Sequence, residues 1–159
     1  MIGPKRRTYA MTAALTSLVS FGMLIAGCTG ARPANLGVHD RKLAPCPASP
    51  NCVSSQGIDR EHAIEPLRFA GPSTEAMDRL KRAIRGMKRA RIITETGSYI
   101  HAEITSALFR FVDDLEFLLD ERAAVIHVRS ASRVGHSDLG VNRKRVEDIR
   151  AAMTAVHGE

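Results

Sequence analysis

A run of 24 residues without a charge, Thr8 to Ala31, follows Lys5, Arg6 and Arg7 and holds Cys28 near its end. It has the three parts of an export leader. The basic start stays cytoplasmic, Tyr9 to Leu24 partitions into the bilayer, and Ile25-Ala26-Gly27-Cys28 offers small residues for cleavage. With residues 1–27 set aside, what remains of the 159 suits one small domain and excludes a second core. Charge shrinks by the same subtraction: the leader takes three of the 23 basic residues and none of the 17 acidic ones, leaving 20 against 17. That small excess, with few aromatic residues and an exported destination, argues against a nucleic-acid partner.

Ile25-Ala26-Gly27-Cys28 resembles a lipobox. The resemblance implies diacylglycerol on the Cys28 thiol, cleavage before Cys28 by the lipoprotein signal peptidase, and a further acyl chain such as palmitate on the freed amine. At about 0.8 kcal/mol per buried methylene, two or more chains anchor stably where one is marginal. The partners implied are the membrane, reached through lipid on Cys28, and the lipoprotein processing and sorting machinery. Thr29, where aspartate is absent, resembles outer-membrane sorting, which in a diderm host puts the domain at the outer membrane facing the periplasm. The alternative is an uncleaved span, since about 20 apolar residues can cross a bilayer. Thr12, Thr16, Ser17, Ser20 and Gly22 weaken that reading, and either way the domain lies outside the cytoplasm in the cell envelope.

Residues 28–44 hold Gly30, Pro33 and Gly37 without periodicity and read as a flexible tether after the lipidated cysteine; a single globular domain is expected over 45–157. Cys46 and Cys52 enclose two prolines, and an oxidising compartment favours a disulfide there. A redox or metal role would need a C-x-x-C motif or a nearby histidine pair, and neither is present.

From Pro72 the pattern is helical, with Ser73 as N-cap, Glu75 in the first turn, and Met77, Leu80, Ile84 and Met87 on one face. Residues 91–96 and 99–105 read as a hairpin around Gly97-Ser98, with Ile100, Ala102 and Ile104 on one side and Tyr99, His101 and Glu103 on the other. A second hairpin pairs 108–119, carrying Phe109, Phe111, Leu115, Phe117 and Leu119, with 123–131. Setting Asp120 opposite Ala123 places Phe117 on Ile126, Leu115 on Val128, Glu116 on His127 and Asp114 on Arg129. A last helix over 142–156 has Val146, Ile149, Met153 and Val156 in one stripe. The fold expected is α+β: a small antiparallel sheet of about four strands with helices packed on one face.

The segments SPNCVSSQ, FRFVDDLEF and RSASRVGHSDLGVNRKRVEDIR, in this order, resemble the family called domain of unknown function 1499 (DUF1499) over roughly residues 43–153. The resemblance implies an exported or lipid-anchored protein and no particular reaction. The chain has His136 where that family commonly has an aromatic residue, which counts against a catalytic His136.

One polar cluster stands out. Asp113, Asp114, Glu116 and Asp138 are candidates for a buried network or for acid–base work. Arg129, Ser130, Ser132, Arg133, Ser137, Asn142, Arg143 and Arg145 are candidates for holding an anion or an envelope partner. In strict alternation Asp113 falls on the Leu115 face, so either the double aspartate marks a bulge or a carboxylate is buried against Arg129 or Arg133. Arg143-Lys144-Arg145 opens a helix, where the macrodipole disfavours cations by about 0.3–1 kcal/mol each. Either an anion at that terminus compensates, or Asp138, Glu147 and Asp148 do. His136-Ser137-Asp138 names three triad residues, but consecutive side chains diverge and no G-x-S-x-G elbow is present. Histidine–acid pairs from His101, Glu103, Glu116 and His127 are ordinary partners across strands, so no metal or other cofactor is expected. The function expected is a non-catalytic envelope module, binding or structural. The alternative is a hydrolase acting on an anionic ester through Asp113, Asp114 or Asp138.

Overall fold

The computed structural model describes residues 30–155. The expected leader (residues 1–27), Cys28 and Val156 lie outside the described residues, and among the described residues no helix is long and apolar enough to cross a membrane.

Period-two alternation builds the sheet. The first hairpin joins β3 (Ala90–Glu95) to β4 (Tyr99–Thr105), and Ile100, Ala102 and Ile104 enter the core as their alternation requires. The second joins β5 (Val112–Asp120) to β6 (Val125–Ser132), with a register that differs from the expected one by two residues. Asp120 opposes Val125, Phe117 opposes Val128, Leu115 opposes Ser130, Glu116 opposes Arg129 and Asp114 opposes Ala131. The cause is the turn: Asp120 Oδ1 accepts the Ala123 amide at 3.1 Å and Ala124 takes a positive φ of 52°, giving four linking residues where two were expected. An even slip keeps every side chain on its expected face, so the apolar pattern survives while the ion pairs change.

Two strands too short for their periodicity to register complete the sheet. β1 (Cys52–Ser54) and β2 (Leu67–Arg68) both pair with β6, giving the order β1-β6-β5-β4-β3 and six strands in place of four. β5 begins at Val112, not at 108, so Phe109 and Phe111 are exposed instead of facing the core.

Helix α1 (Ser73–Gly86) and helix α2 (Val141–Thr154) cover one face. Ala76, Leu80 and Ile84 from α1, and Val146, Ile149 and Met153 from α2, meet Phe117, Leu115, Ile126 and Val128 in the core. Each large side chain buried there contributes about 1.5–3 kcal/mol. Ser73 is the first helical residue and not the cap: Pro72 takes that position, and the Ser73 hydroxyl donates to Glu121 at 2.6 Å.

The second face of the sheet is also covered. Residues 30–44, expected as part of a flexible tether, lack regular structure apart from a His39–Lys42 bridge, yet they pack across β4 and β5. Leu43 packs with Tyr99 and Leu118, the Gly37 amide donates to Glu116 at 2.7 Å, and Arg32 pairs with Glu103 at 2.6 Å. The Cys46–Cys52 disulfide closes the turn between this segment and β1.

Candidate functional site

Adjacent residues of a strand face opposite ways, so Asp113 and Asp114 feed two networks on the two sides of β5. Pairing on both flanks of β5 is continuous through them, so the double aspartate is not a bulge.

On the helix side Asp113 is buried, and its partner is Arg145 at 2.6 Å, neither Arg129 nor Arg133. Arg145 also donates to Asn142 Oδ1 at 2.6 Å, and Asn142 reaches the Asn51 carbonyl and Ser132 Oγ, both at 3.0 Å. Ser130 donates to the same Asn142 oxygen. This chain of bonds fastens the start of α2 to β5, β6 and the disulfide turn. Asn51 completes it by donating to the Gly135 carbonyl at 2.6 Å; nothing in local periodicity marked that residue.

On the other side, Asp114 is held by Arg133 and Glu116 by Arg129, not Asp114 by Arg129. Arg133 donates to both Asp114 oxygens and to Glu103, and His101 Nε2 lies 2.8 Å from Asp114 Oδ1. Burial pushes the Asp114 and Glu103 carboxyls up, but bonds from Arg133, with His101 for Asp114 and Arg32 for Glu103, outweigh it and hold both below the usual carboxylate range. Asp114 likewise holds the Arg133 guanidinium firmly protonated. Glu116, fully buried, accepts from Arg129 at 3.0 Å, Tyr99 Oη at 2.8 Å and the Gly37 amide. Burial, then the Glu116 charge, push the Tyr99 phenol up, so it stays a donor.

His101, Glu103 and Asp114 bring potential ligand atoms within 4.8 Å of one another. The Arg133 guanidinium bonds the same Glu103 Oε1 and Asp114 Oδ1, taking the place a cation would need. Of the other residues weighed for a metal, Glu116 belongs to Arg129, and His127 Nδ1 lies 3.2 Å from Ser55 Oγ.

The cations at the start of α2 are matched within the protein. Arg143 donates to the carbonyls of Ala63 and Glu61 at 2.8 and 2.9 Å, and Lys144 pairs with Asp148 at 2.7 Å. Glu147, expected to offset these cations, pairs with Arg150 instead. Asp138 accepts the amides of Gly140 and Asn142 at 3.0 and 2.7 Å, which caps the helix where Gly140 takes a left-handed φ of 80°. Ser137 Oγ accepts the Leu139 amide at 3.3 Å and His136 is exposed, so the three consecutive residues turn to different neighbours.

Sequence reasoning passed over Tyr99, Arg32 and Gly37 as partners, because the segment that brings two of them has no periodicity. At the other end of the sheet an open groove of about 1130 Å³ lies between residues 38–42 and the β3–β4 and β5–β6 turns, with Arg41, Lys42 and Arg122 beside Asp40, Asp120 and Glu121. Burial lowers the basicity of His127 on its wall.

A family model described as "Protein of unknown function (DUF1499)" matches residues 42–153. A search of curated proteins found no match.

Proposed function

Since the chain belongs to the DUF1499 family of proteins of unknown function, and that membership carries no reaction with it, we propose that it is an exported lipoprotein, anchored through Cys28 in the cell envelope, whose domain acts as a non-catalytic module. The observation that carries this reading is the mutual engagement of the cluster's acids and guanidinium groups: Asp113 with Arg145, Asp114 with Arg133, Glu116 with Arg129. A carboxylate serving as general acid or base needs reach to a substrate proton, and an anion clamp needs guanidinium donors turned to solvent. These groups are turned to one another in the interior, where such pairs specify geometry more than they add stability. The network therefore serves to fasten residues 30–44 and α2 to the sheet. The Cys46–Cys52 disulfide supports an oxidising compartment. The groove with Arg41, Lys42 and Arg122, and not the buried arginine cluster, is the surface this reading offers to an envelope partner.

The test is metabolic labelling with fatty acid in a bacterial host. Wild type should incorporate label and Cys28→Ser should incorporate none and accumulate uncleaved. Undiminished labelling of Cys28→Ser, or an unlabelled wild type, would overturn the anchor.

A further inference from the structure

We propose that the end of the sheet from which the chain leaves toward Cys28 is a bilayer-contact surface, with the loop 106–111 inserted among the lipid headgroups. The proposal rests on the lipid-anchor reading and adds to it an orientation of the domain.

Of the seven large apolar side chains exposed among the described residues, five sit at this one end: Leu108, Phe109 and Phe111 between β4 and β5, Leu139 between β6 and α2, and Val141 as the first residue of α2. Leu108 is 79% exposed, Phe109 63% and Leu139 94%. Apolar surface gathered this way marks a site of contact, whereas single exposed residues do not. The loop holds its rings out by construction. Ser106 donates its amide to the Phe111 carbonyl at 2.8 Å, Phe111 donates back to Ser106 Oγ at 2.9 Å, and Arg110 between the stacked rings takes a positive φ of 59°. A residue without glycine's freedom kept in that region is a local cost that the surrounding bonds must hold.

The position of the anchor argues for lipid as the occupant. Gly30 lies against residues 133 and 134: a Cβ there would come within 2.8 Å of Arg133 Cβ and 2.9 Å of Val134 Cγ1. The Arg133 amide in turn donates to the Val112 carbonyl, next to Phe111. Cys28 is two residues before Gly30, so chain geometry keeps its Cα within about 8 Å of it. A diacylglycerol on Cys28 therefore enters the bilayer beside these loops, and the bilayer surface is the partner placed against them. Charge agrees: Lys88, Arg89 and Arg110 are exposed around this end, where Glu103 is paired with Arg32 and Arg133 and Asp138 caps α2. Aromatic rings flanked by basic side chains suit an anionic headgroup layer. The acyl chains retain the protein, and the loops set which way it faces, turning the groove at the opposite end away from the membrane.

The chain has no tryptophan, so a single one reports its own depth. Full-length acylated protein carrying Phe109→Trp, Leu139→Trp or Ile58→Trp would be reconstituted into vesicles of zwitterionic and anionic phospholipid brominated near the headgroup end of the acyl chains. Acylation is read separately by intact mass. All three positions are exposed, so the substitutions leave the core untouched. At positions 109 and 139 quenching at least twofold stronger than at 58, with a blue-shifted emission, is the expected result. Acylated protein whose residues 109 and 139 are quenched no more than residue 58 overturns the orientation and leaves the anchor standing. The same holds if emission shifts blue without bromine quenching and crosslinks form between copies through position 109, because the loop is then covered by protein. A wild-type chain without acyl groups overturns the anchor, and the orientation with it.

Discussion

Arg133 grips Asp114 through two guanidinium nitrogens, Nε to Oδ2 at 2.8 Å and Nη2 to Oδ1 at 2.7 Å, with both side chains more than nine-tenths buried. A paired contact of this kind fixes orientation as well as distance, which a lysine at 133 would not do. It ties the end of β6 to β5, and through Glu103 to β4.

Asp114→Ala is expected to cost about 3–5 kcal/mol, because it removes the carboxylate that the buried Arg133 guanidinium bonds twice and leaves that group only Glu103. Arg133→Ala should cost a comparable amount, and the double variant clearly less than the two singles summed. Urea denaturation of the four proteins measures the coupling. Additive costs would show that the pair contributes no net interaction. Combining Asp114→Ala with Arg129→Ala should give the smaller coupling, since Arg129 belongs to Glu116.

Acid should weaken the fold through the same carboxylates. Asp114 and Glu103 have folded-state pKa values below their ordinary ones, since their arginine partners outweigh burial. A group depressed in this direction contributes stability that is present above its unfolded pKa, about 4, and is lost as pH falls through the folded value. Their contribution should therefore be flat from pH 7 to about 5 and fall below about pH 4. Urea midpoints measured across that range should decline less steeply in Asp114→Ala than in wild type. Parallel declines would remove Asp114 from the account.

The disulfide joins residues six apart in sequence. Closing so short a loop restricts the unfolded chain modestly, so replacing both cysteines by alanine should cost about 2 kcal/mol and leave the fold intact. The core around Phe117 does not depend on the bond. Mass spectrometry of envelope-extracted protein, with thiols trapped on lysis, should find the two cysteines joined; two free thiols would argue against an oxidising compartment.

The sequence by itself determined what repeats along a strand or helix. Alternation over 99–105 and 112–120, and the stripes Leu80–Ile84 and Val146–Ile149–Met153, declared which side chains enter the core, and they enter it. The α+β class was legible on the same terms, and the cysteine pair from its spacing; of the polar network, Asp113, Asp114, Glu116, Arg129, Arg133, Asn142 and Arg145 stood out in the sequence, whereas Asn51, Tyr99, Gly37 and Arg32 did not. Partners were not. Who pairs with whom depends on register, which rested on a four-residue turn closed by Asp120 and Ala124, and an even slip moved Arg129 from Asp114 to Glu116 without disturbing the apolar pattern. Only the tertiary structure decided that Arg145 reaches Asp113 and that Asn51, 91 residues away in sequence, meets Asn142. The same holds for residues 30–44, which carry no periodicity and are placed by Leu43, Gly37 and Arg32 finding a face whose buried acids still had bonds to accept. Periodicity is a local property of the chain, whereas the pairing of buried charges is settled by which strands lie side by side, because a charge leaving water must find its partner wherever the fold has put one.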